Sequence, residues 1–216
     1  MSHPLRFPKG LYGVTPEWDD TDRLLEAIRA AALGGMSALQ WRRKTATAQD
    51  GLAQVRRVAA LCRELDVVCI VNDDWRLAAL IDADGVHLGR EDGGMAQARL
   101  ALGPEKIIGT SCYNEPALAA LALDAGADYV AFGAVYPSSV KPQAVRATLE
   151  HIEQGRMLAE SRPARPRPAV VAIGGITAEN AAPVVHAGAD SIALISGLFE
   201  SEDIQATASR CAALFT

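Results

Sequence analysis

The chain has 216 residues, half of them hydrophobic, 22% charged and only 5% aromatic, so it can bury one large aliphatic core and is neither disordered nor fibrous. A formal charge of −5, from 21 basic and 26 acidic residues, lays no electrostatic footprint for nucleic acid or an anionic membrane surface, so any phosphate site must be local. No apolar run approaches the roughly 18 residues of a spanning helix, and the start MSHPLRFPKG lacks the apolar stretch of a secretion signal; the expected compartment is the cytoplasm, with no membrane partner.

Short aliphatic runs alternate with longer amphipathic ones. LYGVT precedes a helical pattern at 20–34, SALQWR one at 47–64, and VVCIVN one at 74–81. GVHLG is followed by 93–102, KIIGTS by 114–125, YVAFGAVY by 142–160, AVVAIG by 177–187 and SIALIS by 199–214. Strands rich in Val, Ile and Leu, without polar alternation along most of their length, belong to a parallel sheet covered on both faces. Eight units give 216/8 = 27 residues each, close to the minimum for a strand, a helix and two loops. The expected fold is therefore a (β/α)8 barrel, a single domain over 1–216, with an open doubly wound sheet as the alternative.

AGADYVAFGAV at 125–135 is echoed by AGADSIALISG at 187–197 and more weakly by DADGVHLG at 82–89. Gly126 and Gly188 fall where a helix end wants positive φ, so the repeat reads as recurring turn chemistry. The segment ESRPARPRP, 160–168, reads as a solvated loop on the face opposite the chemistry of a barrel. Cys62, Cys69, Cys112 and Cys211 form no CxxC pair and have no His at zinc-like spacing, so they read as reduced core thiols; Cys112 lies near the chemistry but has no obvious base beside it.

Barrel chemistry sits at the C-terminal ends of the strands, and here those ends are polar. In QWRRK, strand alternation puts Gln40, Arg42 and Lys44 on one face and Trp41 and Arg43 on the other. The third strand runs into Asn72-Asp73-Asp74, whose carboxylates suit either a magnesium ion or the cap of the next helix. The fourth ends at His87, which reads as a packed histidine, with Glu91 and Asp92 just beyond. The fifth ends in Gly109-Thr110-Ser111-Cys112, and the sixth leads to YPSSVKP with Ser138, Val140 and Lys141. Gly174-Gly175 and Ser196-Gly197 end the last two strands, where backbone amides form the phosphate site frequent in this architecture.

In this order QWRRK, VNDD, HLGRED, IGTS, YPSSVKP, AIGGI and LIS resemble the thiamine-phosphate synthase family over nearly the whole chain. The resemblance implies that Gln40, Arg42, Lys44 and Asn72 hold a pyrimidine diphosphate, that Asp73 and Asp92 bind Mg²⁺, and that Ser111 and Lys141 contact the diphosphate side. Ser138, Gly175, Ile195 and Ser196 would hold a thiazole phosphate, with Val140 in the same substrate-binding loop. Arg42, Lys44 and Lys141 would carry catalysis by steadying the charge on departing pyrophosphate. Three residues depart from the family pattern: Asp74 stands for the Arg of NDR, Arg90 for the Gln of HLGQ, and Val140 for the second Thr of TxTK. The rival readings are a thiazole tautomerase of the same fold and a non-catalytic barrel that binds a phosphate ligand. A homo-oligomer is compatible with the sequence, which does not set its state.

Overall fold

In the computed structural model, which describes residues 5–45, 47–90, 94–137, 143, 145–162 and 166–216, eight parallel strands close on themselves in chain order. They are β1 (Gly10–Val14), β2 (Met36–Trp41), β3 (Val68–Asn72), β4 (Gly85–Leu88), β5 (Ile107–Tyr113), β6 (Tyr129–Phe132), β7 (Ala169–Ile173) and β8 (Ser191–Leu194). The helices between them are α1 (Thr21–Leu33), α2 (Ala48–Glu64), α3 (Trp75–Leu80), α4 (Met95–Leu102), α5 (Pro116–Asp124), α6 (Leu149–Glu160) and α7 (Ala181–His186). After β8 come α8 (Ser196–Phe199) and α9 (Ile204–Ala212). The barrel expected from the 27-residue unit is thus what the chain forms. Among the described residues no helix is long and apolar enough to cross a membrane.

Three helices depart from the expected spans. The last is split, because Ile195 turns the chain directly into α8 and Asp203 caps α9 anew by accepting from Ala206 N. α7 starts at Ala181 and not at Thr177, since the Asn180 side chain ties residues 175–180 into a turn. α6 starts at Leu149, where Thr148 and His151 form a reciprocal cap.

Alternation sorts the core into two clusters. Tyr12, Val14, Ala38, Ile70, Tyr129 and Val171 point into the barrel, where Phe7 packs against both tyrosines, edge-on to Tyr12 and tilted on Tyr129. Leu11, Leu39, Val71, Val86, Ile108 and Val130 point outward against the helices, where α1 presents Leu24, Ala27, Ile28 and Ala31 at helical spacing. The four cysteines are free and buried.

The repeated Ala-Asp phrase has a structural purpose. Asp84, Asp128 and Asp190 stand just ahead of β4, β6 and β8, and each binds one residue of the preceding strand twice. The main-chain N–H of Asp84 donates to Cys69 O while its carboxylate accepts from Cys69 N at 2.7 Å; Asp128 does the same to Ile108 and Asp190 to Val170, each at 2.8 Å. Their carbonyls accept from Ile107, Ala169 and Gly10 on the following strand. Gly126 (φ 88°) and Gly188 (φ 105°) supply the left-handed step that leads into two of these turns.

The 160–168 expectation needs correction. Arg167 is 8% exposed and bonds Asp190 through both guanidinium nitrogens, at 3.1 and 2.6 Å; Arg156 adds a third contact at 2.8 Å. A buried carboxylate just ahead of β8 draws this arginine inward, which local composition does not reveal. Arg162 is also held, by Asp124 and Ala120 O, while residues 163–165 lie outside the described residues.

Removing Asp190 strands a buried guanidinium, so Asp190→Ala should destabilise the fold by about 3–5 kcal/mol in urea unfolding. Glu64→Ala, which breaks the exposed pair with Arg29, should leave the urea midpoint almost unmoved.

Candidate active site

At the C-terminal mouth the inward series of β2 to β5 runs Gln40 and Arg42, then Asn72, His87 and Ser111. The alternation expected in QWRRK holds: Trp41 points outward and donates to Gln54 at 3.0 Å, and Arg43 turns to Asp19 and Trp18 O. Arg42 is fixed through its backbone, its N–H donating to Thr15 Oγ1 at 2.8 Å while the same hydroxyl donates to Arg42 O.

A carboxylate that the sequence reading did not single out orders this cationic loop. Glu17 accepts from Lys44 N with both oxygens, at 3.0 and 3.1 Å, from Thr45 Oγ1 at 3.0 Å, and from Arg42 Nη1 at 3.2 Å. Partial burial opposes its ionisation, but the Lys44 amide, the Thr45 hydroxyl and the Arg42 charge prevail and hold the carboxyl below its ordinary value. The signal in sequence was an acid three residues beyond the first strand end, inside the ring of strand endings that carries barrel chemistry.

The Asp-Asp pair divides its labour. Asp74 caps α3, accepting from Arg76 N and Leu77 N at 2.9 and 3.0 Å. Asp73 adopts a left-handed φ of 65°, a conformation that Asp tolerates, and its carboxylate lies 3.5 Å from Lys44 Nζ with one third of the side chain exposed. Asp74, one departure from the family pattern, is thus a helix cap. Arg90, another, pairs with Glu115 and lies over the Tyr113 ring, away from the inward series.

Beneath the mouth runs a chain of polar groups that sequence reasoning missed. Gln40 Nε2 donates to Tyr12 OH at 2.8 Å, Tyr12 OH meets Tyr129 OH at 3.0 Å, and Tyr129 OH meets His87 Nδ1 at 2.9 Å. His87 Nε2 then meets Ser111 Oγ at 2.8 Å. The phenols are 2% and 0% exposed, and burial pushes both above their ordinary range, so they stay protonated. Gly109 makes room: a Cβ there would fall 1.9 Å from Tyr129 Cζ. Two tyrosines at inward positions of an otherwise aliphatic barrel were the available clue. His87 is packed, as expected.

On the opposite side of the mouth a cavity of about 170 Å³ lies between the ends of β7 and β8, lined by Pro137, 173–177 and 193–197. Gly174, Gly175, Ile195, Ser196 and Gly197 all border it, so the two strand ends expected to bind phosphate share one hollow. Gly175 holds φ 63°, and a Cβ on it would meet Pro137 O at 2.3 Å; the β6 loop is pressed against the turn. Asn180 bonds Gly175 O and Thr177 N, and Tyr136 OH donates to Asn180 O at 3.0 Å, bracing that turn from behind.

Asp92, Ser138, Val140 and Lys141 lie outside the described residues. Among the described residues no three His, Cys, Asp or Glu side chains converge as a metal cage; Asp73 is the described half of the expected pair. Burial pushes the Cys112 thiol up to about 12, consistent with a core thiol.

The family described as thiamine monophosphate synthase matches residues 11–198. A thiamine-phosphate synthase of Bordetella pertussis is 58% identical over 98% of this chain and 97% of its own length, and that of Thiobacillus denitrificans 50% over 97% and 96%. A thiamine phosphate pyrophosphorylase from Pyrococcus furiosus superposes with a TM-score of 0.82 at 34% identity, covering 97% of this chain and 96% of that one. Orotidine 5'-phosphate decarboxylase from Pyrococcus horikoshii, at 15% identity and TM-score 0.66 over 94% and 98%, shares the fold alone.

The lowered pKa of Glu17 sets the sign of a pH effect: its clasp on the loop is complete above the ordinary carboxyl value and is lost as pH falls through the lower folded value. Amide exchange at Lys44 should therefore lose protection on the acid side in the wild type. In Glu17→Ala protection at neutral pH should drop about tenfold, the scale of one charge-assisted hydrogen bond, and the acid-side step should vanish.

Proposed function

The chain belongs to the thiamine-phosphate synthase family, and from that premise we propose how its barrel mouth carries out the synthesis of thiamine phosphate. The observation that carries the reading is the gathering of Gln40, Arg42, Asn72 and Ser111 on inward positions of three strands, with Lys44 and Asp73 at their rim, across from the hollow at β7 and β8. One side offers cations and amides to a diphosphate; the other offers backbone amides to a monophosphate. Gln40, Arg42, Lys44 and Asn72 hold the pyrimidine diphosphate, with Ser111 and Lys141 on the same group. Gly175, Ile195, Ser196 and the 138–140 loop hold the thiazole phosphate.

The bond between the pyrimidine methylene and the diphosphate oxygen breaks with its electron pair leaving on pyrophosphate, and the thiazole nitrogen forms the new bond to that carbon. An electron-rich aminopyrimidine steadies the positive charge, so the protein's work lies at the leaving group. Arg42 is suited to it because its backbone is clamped by Thr15 and its guanidinium is held at the strand end by Glu17, at 3.2 Å. No nucleophilic side chain is needed, in keeping with the buried, protonated state of Cys112.

Asp73 fits a magnesium site. Helix capping falls to its neighbour, which leaves its hard oxygen donors available beside Lys44, and Asp92 would be the second ligand. Magnesium bound there supplies charge neutralisation to the diphosphate. Lys44, 3.5 Å from Asp73, keeps that carboxylate oriented toward the same space. The cytoplasm is the compartment that suits such small charged substrates.

Mixing the protein with the pyrimidine diphosphate, thiazole phosphate and Mg²⁺ should release thiamine phosphate and pyrophosphate in equal amounts. Isomerised thiazole alone would mark a tautomerase, and binding without turnover a sensor. Arg42→Ala should slow turnover by about 10² to 10³ with the fold intact. In calorimetric titrations the wild type should bind the diphosphate tightly only with Mg²⁺. Asp73→Ala should bind it poorly with the metal and no worse than wild type in EDTA. Metal-independent affinity in the wild type would remove Asp73 from the site.

A further inference from the structure

The polar chain beneath the mouth has a direction, and the direction follows from counting protons. Gln40 presents its amide nitrogen to Tyr12 OH, and an amide nitrogen can only donate, so the Tyr12 oxygen accepts there. Tyr12 has one proton, and its other partner in the chain is the Tyr129 oxygen at 3.0 Å. With that oxygen occupied as an acceptor, the Tyr129 proton goes to His87 Nδ1 at 2.9 Å. The imidazole then carries its own proton on Nε2 and donates it to Ser111 Oγ at 2.8 Å. The reverse order would have the Tyr12 oxygen accept twice and leave its proton without an acceptor in this chain at a side chain only 2% exposed, at the cost of an unmade buried hydrogen bond.

We propose that Tyr12, Tyr129 and His87 are positioning residues that lock Ser111 as a hydrogen-bond donor: with its oxygen already accepting from His87, the serine hydroxyl cannot donate back to that ring and keeps its proton for an anionic oxygen of the substrate. The inference deepens the reading of Ser111 as a contact of the diphosphate and rests on it. Its parts lie on five strands, with Gln40 on β2, Tyr12 on β1, Tyr129 on β6, His87 on β4 and Ser111 on β5, so the relay crosses the barrel interior and joins two substrate positions that no local segment connects. The protonated phenols suit the role, because a relay of neutral groups orients a donor without placing negative charge beneath a diphosphate. The close, tilted packing of Phe7 on Tyr129, with centroids 4.2 Å apart, and the absence of a side chain at Gly109 keep the Tyr129 ring stacked with His87.

The test reads the tautomer directly. The chain has four histidines, and long-range ¹H–¹⁵N spectra of ¹⁵N-histidine-labelled, ligand-free protein identify the His87 signals by their loss in His87→Asn. The expected result in the wild type is a neutral ring with the proton on Nε2. Tyr129→Phe keeps the aromatic packing but removes the linking oxygen; it should mix the two tautomers and lower kcat by about tenfold while leaving the KM for thiazole phosphate unchanged. Tyr12→Phe, which leaves the Tyr129–His87 contact in place but removes the group that sets its direction, should also mix the tautomers. A wild-type ring protonated on Nδ1, or a Tyr129→Phe protein with wild-type tautomer and kinetics, overturns the relay. The spectrum of the wild type needs no variant to fold, so the relay stays open to refutation in any case. An Nε2-protonated ring together with a kinetically silent Ser111→Ala would support the relay and overturn the assignment of Ser111 to the diphosphate.

Discussion

Register is the constraint on which this barrel rests. Because side chains alternate along a strand, a slip of one residue would replace Gln40, Asn72 and Ser111 at the mouth with Leu39, Val71 and Thr110. Main-chain pairing alone tolerates such slips. Asp84, Asp128 and Asp190 do not, since each seizes both the N–H and the C=O of a single residue on the strand before it and offers its own carbonyl to the strand after it. The locks lie at the bottom of β4, β6 and β8 and the site lies at the top, so the end of the barrel that holds register is separate from the end that must present varied loops.

Two kinds of polar interior result. At the bottom the buried charges are paired, Asp190 with Arg167 and Arg156, Asp128 with Arg99. In the middle of the barrel Tyr12, Tyr129, His87 and Gln40 satisfy one another by hydrogen bonds around an aromatic floor. At the mouth Glu17 and Asp73 share the cations Arg42 and Lys44. Cationic side chains thus stand where a polyanion would arrive, over an interior that adds hydrogen bonds in place of opposing charge.

What could be read from the sequence was whatever depends on neighbours along the chain. The parity of QWRRK, the strand endings and the glycine pair at β7 were legible because alternation and turn chemistry are local rules. The Asp73-Asp74 pair was half legible: either could cap α3, and only the left-handed backbone at Asp73 shows which one does not. Tyr12 and Tyr129 meet across 117 positions of sequence, and their partnership depends on the empty position at Gly109 on a third strand. Arg167 was misread for the same reason, its partner lying 23 residues away. Glu17 escaped notice because an isolated acid after a first strand carries no pattern; its meaning comes from three donors that a different loop brings to it.

The buried thiols give the molecule an optical window on its own motions. Cys62 on α2 and Cys69 on β3 lie side by side, while Cys112 on β5 and Cys211 on α9 sit in other sectors of the barrel. Burial holds Cys112 and Cys211 at about 12 and about 11, so near neutral pH neither supplies the thiolate that a disulfide reagent needs. A chromogenic reagent therefore reacts only after the structure around a cysteine has opened, and each rate reports the opening of its own sector. Unevenness among the four would draw a map of where the closed barrel first comes apart.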